Sequence, residues 1–81
     1  MIIKILDTEG KNLDKIEFNA LKALTQLNKV GTVERLQDKE KLAEKFEIKE
    51  SPAFIVNDKV KVSGRAPSLK EIVELLQEEL N

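Results

Sequence analysis

Cysteine and histidine are both absent from the 81 residues. With them go nucleophilic thiols, disulfides, Cys/His zinc sites and the side chain that titrates most readily near neutral pH. No block of one-signed charge exists either: fourteen Lys and Arg stand against fifteen Asp and Glu, spread along the whole chain. Nothing therefore marks a nucleic-acid or anionic-membrane surface. No apolar run approaches the ~20 residues of a membrane span, and the N-terminal MIIKILD is too short for a signal peptide and has no basic flank before it. Repeats and low-complexity tracts are missing as well. These absences predict a cytoplasmic protein forming one domain over residues 1–81, long enough for a single core with a thin stability margin.

Hydrophobic patterning supplies the elements. Residues 1 to 6 form a nearly continuous aliphatic run, as in a strand covered on both faces. From Leu13 onward, Ile16, Ala20, Leu21, Leu24 and Leu27 recur at helical spacing, with Asn12 placed to cap the helix and Asp14 in its first turn. Phe18 lies off that stripe; covering a second layer of core is the commoner reading, an exposed contact the other. Asn28 to Gly31 break the helix, and Thr32 to Leu36 read as a short strand. Asp38 can cap a second helix with Leu42, Ala43 and Phe46 facing inward. Ala53 to Val56 and Val60 to Val62 flank Asn57-Asp58-Lys59, which predicts an antiparallel hairpin. Ser68-Leu69-Lys70-Glu71 matches a capping box, and Leu69, Ile72, Val73, Leu76 and Leu80 form the apolar stripe of a last helix.

The order is β-α-β-α-β-β-α. A right-handed crossover makes the first two strands parallel, the hairpin adds two more, and helices must cover both faces of a four-stranded mixed sheet. This α/β arrangement is the thioredoxin core. The sequence resembles the small thioredoxin-like "redox-active disulfide" family, and three segments carry the likeness: Ile5-Leu6-Asp7-Thr8 running into the first helix, Ser51-Pro52-Ala53-Phe54 where the family has its proline loop, and Val62-Ser63-Gly64-Arg65-Ala66-Pro67-Ser68 before the last helix. The last is the most distinctive.

The departure from that family matters more than the match. Carried over position by position, the family's Cys-x-x-Cys falls on Gly10 and Leu13 of Gly10-Lys11-Asn12-Leu13, and neither residue holds a sulfur. Disulfide exchange requires a thiolate attacking a disulfide, so the reaction is impossible in this chain. The resemblance implies an exposed first position and a second against the core, environments that Gly and Leu suit; natural divergence is favoured over an engineered Ser or Ala knockout.

The resemblance also implies a cis bond before Pro52 and a backbone there that pairs with an extended peptide. Capture of that kind needs no cysteine. The leading expectation is thus a non-catalytic peptide-binding or scaffold module, with Gly10, Lys11, Asn12, Ser51, Pro52 and Ala53 lining the groove and an unidentified protein or peptide as partner. No cofactor and no metal are expected. Other readings are a thiol-disulfide oxidoreductase homologue of cell redox homeostasis, inactive as the sequence stands, and a small-anion or glutathione-binding protein using the amides near Gly10 and Lys11. The hydroxyls of Thr8, Ser51 and Ser63 lack a histidine to activate them. Asp7 with Glu9, and Glu47 with Glu50, could hold a cation or do acid-base work, but a solvated surface is the favoured reading. Arg65 is expected to pair within the domain.

Overall fold

A computed structural model describes residues 1–36 and 50–80. Its elements are β1 (Ile2–Leu6), α1 (Leu13–Gln26), β2 (Thr32–Arg35), β3 (Ala53–Val56), β4 (Lys59–Ser63) and α2 (Leu69–Leu80). They form a four-stranded mixed sheet in the order β2-β1-β3-β4. The aliphatic run of β1, broken only by Lys4, sits at the centre, parallel to β2 and antiparallel to β3, as a nearly continuous apolar strand should. β3 and β4 are antiparallel, with a register shift between Phe54 and Ile55. The helix expected from Asp38, with Leu42, Ala43 and Phe46, lies outside the described residues, as does Glu47.

One face of the sheet carries the main core. Ile3 and Ile5 of β1, Phe54 and Val56 of β3 and Val62 of β4 pack against Ile16, Ala20, Ala23 and Leu24 of α1 and against Ile72 and Leu76 of α2. Each large aliphatic or aromatic side chain so buried is worth about 1.5–3 kcal/mol relative to exposure. Leu6, Ala53 and Ile55 alternate to the opposite face and are buried there too.

Three expectations about these elements change. Leu21 is exposed and Ala23 takes its place in the core, because small Ala20 and Ala23 let α1 pack closely on the sheet and against α2 beside it. That rotation turns Phe18 outward as well, leaving it 65% exposed rather than covering a second core layer. The hairpin loop is tighter than three residues: Asn57 and Asp58 alone make the turn, both left-handed (φ 49° and 66°), and Lys59 belongs to β4. Asn and Asp tolerate that conformation better than other side chains, and a two-residue turn of this hand matches the twist of the strands. Asn57 also ties the turn to the central strand, its Oδ1 accepting the Ile2 amide at 3.0 Å.

In α2, Ser68 Oγ accepts the Glu71 amide at 3.2 Å, the first half of the expected capping box. The Glu71 carboxylate meanwhile accepts both Nη1 and Nη2 of Arg65 at 2.5 Å, so Arg65 pairs within the chain. Those two bonds, assisted by the Ser68 amide, hold the Glu71 carboxyl below its ordinary pKa against the opposing effect of burial. Among the described residues no helix is long and apolar enough to cross a membrane.

Candidate functional site

The connection from β1 to α1 and the approach to β3 meet at the end of the central strand. Pairing of Leu6 with Ala53 puts residues 7–12 beside residues 50–52, and Thr8 Oγ1 and Ser51 Oγ lie 2.7 Å apart. A third connection joins them, since the Gly64 amide donates to the Pro52 carbonyl at 2.9 Å. The groove-lining residues expected from sequence are therefore gathered at one end of the sheet.

The first loop is organised by Asp7. This carboxylate is only 6% exposed. Its Oδ1 accepts the Glu9 amide at 3.0 Å, and its Oδ2 accepts the Asn12 amide at 2.9 Å and the Asn12 side-chain amide at 3.1 Å. Burial pushes the Asp7 pKa up, but the amides of Asn12, Glu9 and Gly10 and the Asn12 side chain outweigh it and hold the carboxyl below its ordinary value. Two sequence expectations are corrected here. Asp7 is no solvated surface acid; it is the buried anchor of the loop. Asn12 does occupy the N-cap position of α1, yet its side chain makes no capping bond, being turned back to Asp7.

The same arrangement bears on anion binding. The backbone donors that a phosphate would need, those of Glu9 and Asn12, already face a carboxylate of the chain itself. Lys11, the one cation of the loop, pairs with Glu9 at 3.2 Å on the exposed surface. Among the described residues no group of three or more acidic side chains is placed to hold a metal ion.

At Gly10 and Leu13, the two positions where the resemblance led us to expect the Cys-x-x-Cys to fall, Gly10 is exposed with open space where a Cβ would point, while Leu13 is half-buried against the core cluster. Gly10 has φ +75°, a conformation that side-chain-bearing residues rarely adopt. The loop has thus settled around a glycine and a leucine, with a polar framework drawn from Asp7.

The second loop is different in kind. The Ser51–Pro52 bond is cis. Pro52 gives its carbonyl to Gly64, and Ala53 enters the sheet between Leu6 and Ser63. Between them, the Ser51 amide and carbonyl make no backbone hydrogen bond among the described residues. Gly64 closes the site on its third side with φ +86°, and a Cβ there would run into the Glu50 carboxylate. Sequence reasoning placed Ser51, Pro52 and Ala53 in the groove but missed Gly64 as part of it. The Gly-Arg-x-Pro-Ser run was the available signal, because a glycine at a strand-to-helix junction marks a special backbone position. A recess of about 450 Å³ lined by Leu27, Lys29, Gln77 and Leu80 opens where both helices end, away from these loops.

A family model described as a thioredoxin domain matches residues 1–77 of the chain. No curated protein and no solved structure matches it.

Proposed function

Because the chain belongs to the thioredoxin-domain family yet contains no cysteine, we propose that it works as a non-catalytic binding module. Its ligand is an extended peptide segment lying across the groove between Gly10-Lys11-Asn12 and Ser51-Pro52-Ala53. One observation supports the reading above others: the Ser51 amide and carbonyl lack a backbone partner among the described residues, at a point where the sheet has just ended and the neighbouring loop is already satisfied by Asp7. An extended peptide meets such a pair of groups with its own amide and carbonyl, and side chains at the rim then select its sequence. Exposed Lys11 and Glu50 supply opposite charges for that selection. The open space over Gly10 leaves room for a side chain of the peptide.

Titrating the isotopically labelled chain with a panel of extended peptides tests this directly. Amide resonances of residues 10–13, Ser51 and Ala53 should move together, and exchange of the Ser51 amide with solvent should slow on binding. The double variant Lys11→Glu with Glu50→Arg should keep its fold and change which peptides bind. Silence at Ser51 and Ala53 across the whole panel would dismiss the groove as a binding site.

A further inference from the structure

The two edges of the sheet are built differently. β4 bears Lys59 and Lys61, both drawn to Glu79 of α2 at 3.4 and 2.6 Å, and lysine on an edge strand discourages pairing with another chain. β2 bears no lysine, and among the described residues nothing pairs with its outer side. Thr32 and Leu36 direct their amides inward, to the carbonyls of Met1 and Ile5, so the alternation of a parallel ladder turns the N–H and C=O groups of Val33 and Arg35 outward.

Above that edge, α1 presents the apolar pair Phe18 and Leu21, 65% and 49% exposed and one helical turn apart. The level of this pair along β2 can be read from its neighbours. A Cβ on Gly31 would lie 3.2 Å from Leu24 Cδ1, while Arg35 bonds to Asp14 at 2.5 Å and Glu17 at 3.0 Å. The helix therefore runs opposite to the strand, and Val33, midway between Gly31 and Arg35, stands level with Phe18 and Leu21.

We propose that β2 pairs with β2 of a second copy of this chain, antiparallel about a two-fold axis at Val33, while α1 packs on α1 of that copy through Phe18 and Leu21. The register follows from the outward groups. Centred on Val33, the pairing exchanges both hydrogen bonds between the two Val33 residues and sets Thr32 against Glu34 of the second copy, with no like charges opposed. The other registers within β2 that match outward groups oppose like charges, Glu34 onto Glu34 when Val33 faces Arg35 and Arg35 onto Arg35 when Arg35 faces itself, which is destabilising. The helices obey the same axis. With α1 lying over β1 and β2, each helix axis stands about one strand spacing from the seam, so the two stand ~10 Å apart, the distance of packed helices. Antiparallel crossing at this level puts Phe18 against Leu21 of the second copy. Strand and apolar pair thus both complement themselves about one axis, as an isologous interface must.

The absence of native cysteine makes single-cysteine variants unambiguous probes. Cα atoms of a hydrogen-bonded antiparallel pair lie ~5.5 Å apart, inside the range a disulfide spans. Mild oxidation of Val33→Cys should therefore give a covalent dimer, and Val60→Cys on the opposite edge should not. Sedimentation equilibrium of the unaltered chain from micromolar to millimolar concentration should show the dimer mass. Phe18→Ser with Leu21→Ser should weaken association about tenfold or more while leaving the unfolding midpoint of the monomer in place. A monomer throughout the concentration range, equal cross-linking at positions 33 and 60, or a dimer indifferent to the double serine variant would each overturn the proposal.

Discussion

In the loop after β1, a buried carboxylate of the same loop accepts the amides of Glu9 and Asn12 and the Asn12 side chain. In the loop before β3, a few ångströms away, the Ser51 amide and carbonyl make no backbone hydrogen bond among the described residues. Buried or half-buried polar groups demand partners, and the two loops answer that demand in opposite ways. One is closed on itself by Asp7; the other has, among the described residues, a donor and an acceptor with no backbone partner. The order of the first loop comes from one residue that a composition count would class as surface charge.

Removing the anchor should break this contrast most strongly. Asp7→Ala leaves the Glu9 and Asn12 amides without their acceptor in a part-buried place, and we expect a loss of roughly 2 kcal/mol, seen as a fall of roughly 10 °C in Tm. An unaltered midpoint would mean that water replaces the carboxylate without cost. Gly64→Ala tests the third side of the site: with φ +86° and the Glu50 carboxylate in the way of a Cβ, a cost of roughly 2 kcal/mol is expected in urea unfolding. Peptide-induced shifts at Ser51 should shrink in that variant, since the Gly64 amide holds the Pro52 carbonyl. At Gly10 the space is open and only the backbone conformation resists a side chain, so Gly10→Ala should cost about 1 kcal/mol and leave the second loop untouched.

The smallest effect sharpens the comparison through pH. The Asp7 carboxyl titrates below its ordinary value in the folded chain, as do those of Glu71, held by Arg65, and Glu79, held by Lys61. A lowered folded pKa means the stabilisation is complete above the unfolded value and disappears as pH falls through the folded one. Stability should therefore be flat near neutrality and decline from about pH 4 downward. Asp7→Asn should flatten part of that acid limb, whereas Ser51→Ala should leave its shape alone. Equal acid limbs in Asp7→Asn and the parent would assign the decline to Glu71 and Glu79.

Much of this molecule is legible from residue order. β1 is apolar apart from Lys4 because it lies at the centre of a sheet, and Asn57-Asp58 announces a turn because both residues tolerate left-handed backbone. The placing of Gly10, Lys11 and Asn12 beside Ser51, Pro52 and Ala53 was what the family resemblance implied, not what residue spacing showed. Asp7 was not legible, since an acid in a polar loop looks the same whether it faces water or the loop's own amides. Phe18 and Leu21 were misjudged for a related reason. Helical spacing places them near the apolar stripe, but which side of that stripe is buried depends on where α2 lies.

Sequence alone determined the order of the six described elements and the exclusion of thiol chemistry, because these rest on residue identity, local periodicity and spacing, and its resemblance named the family. Only the tertiary structure decided which polar groups are satisfied among the described residues, which flank of α1 faces outward, and that Val33 stands level with Phe18 and Leu21. Those facts depend on distances between residues far apart in the chain, and hydrogen bonds and packing act through distance.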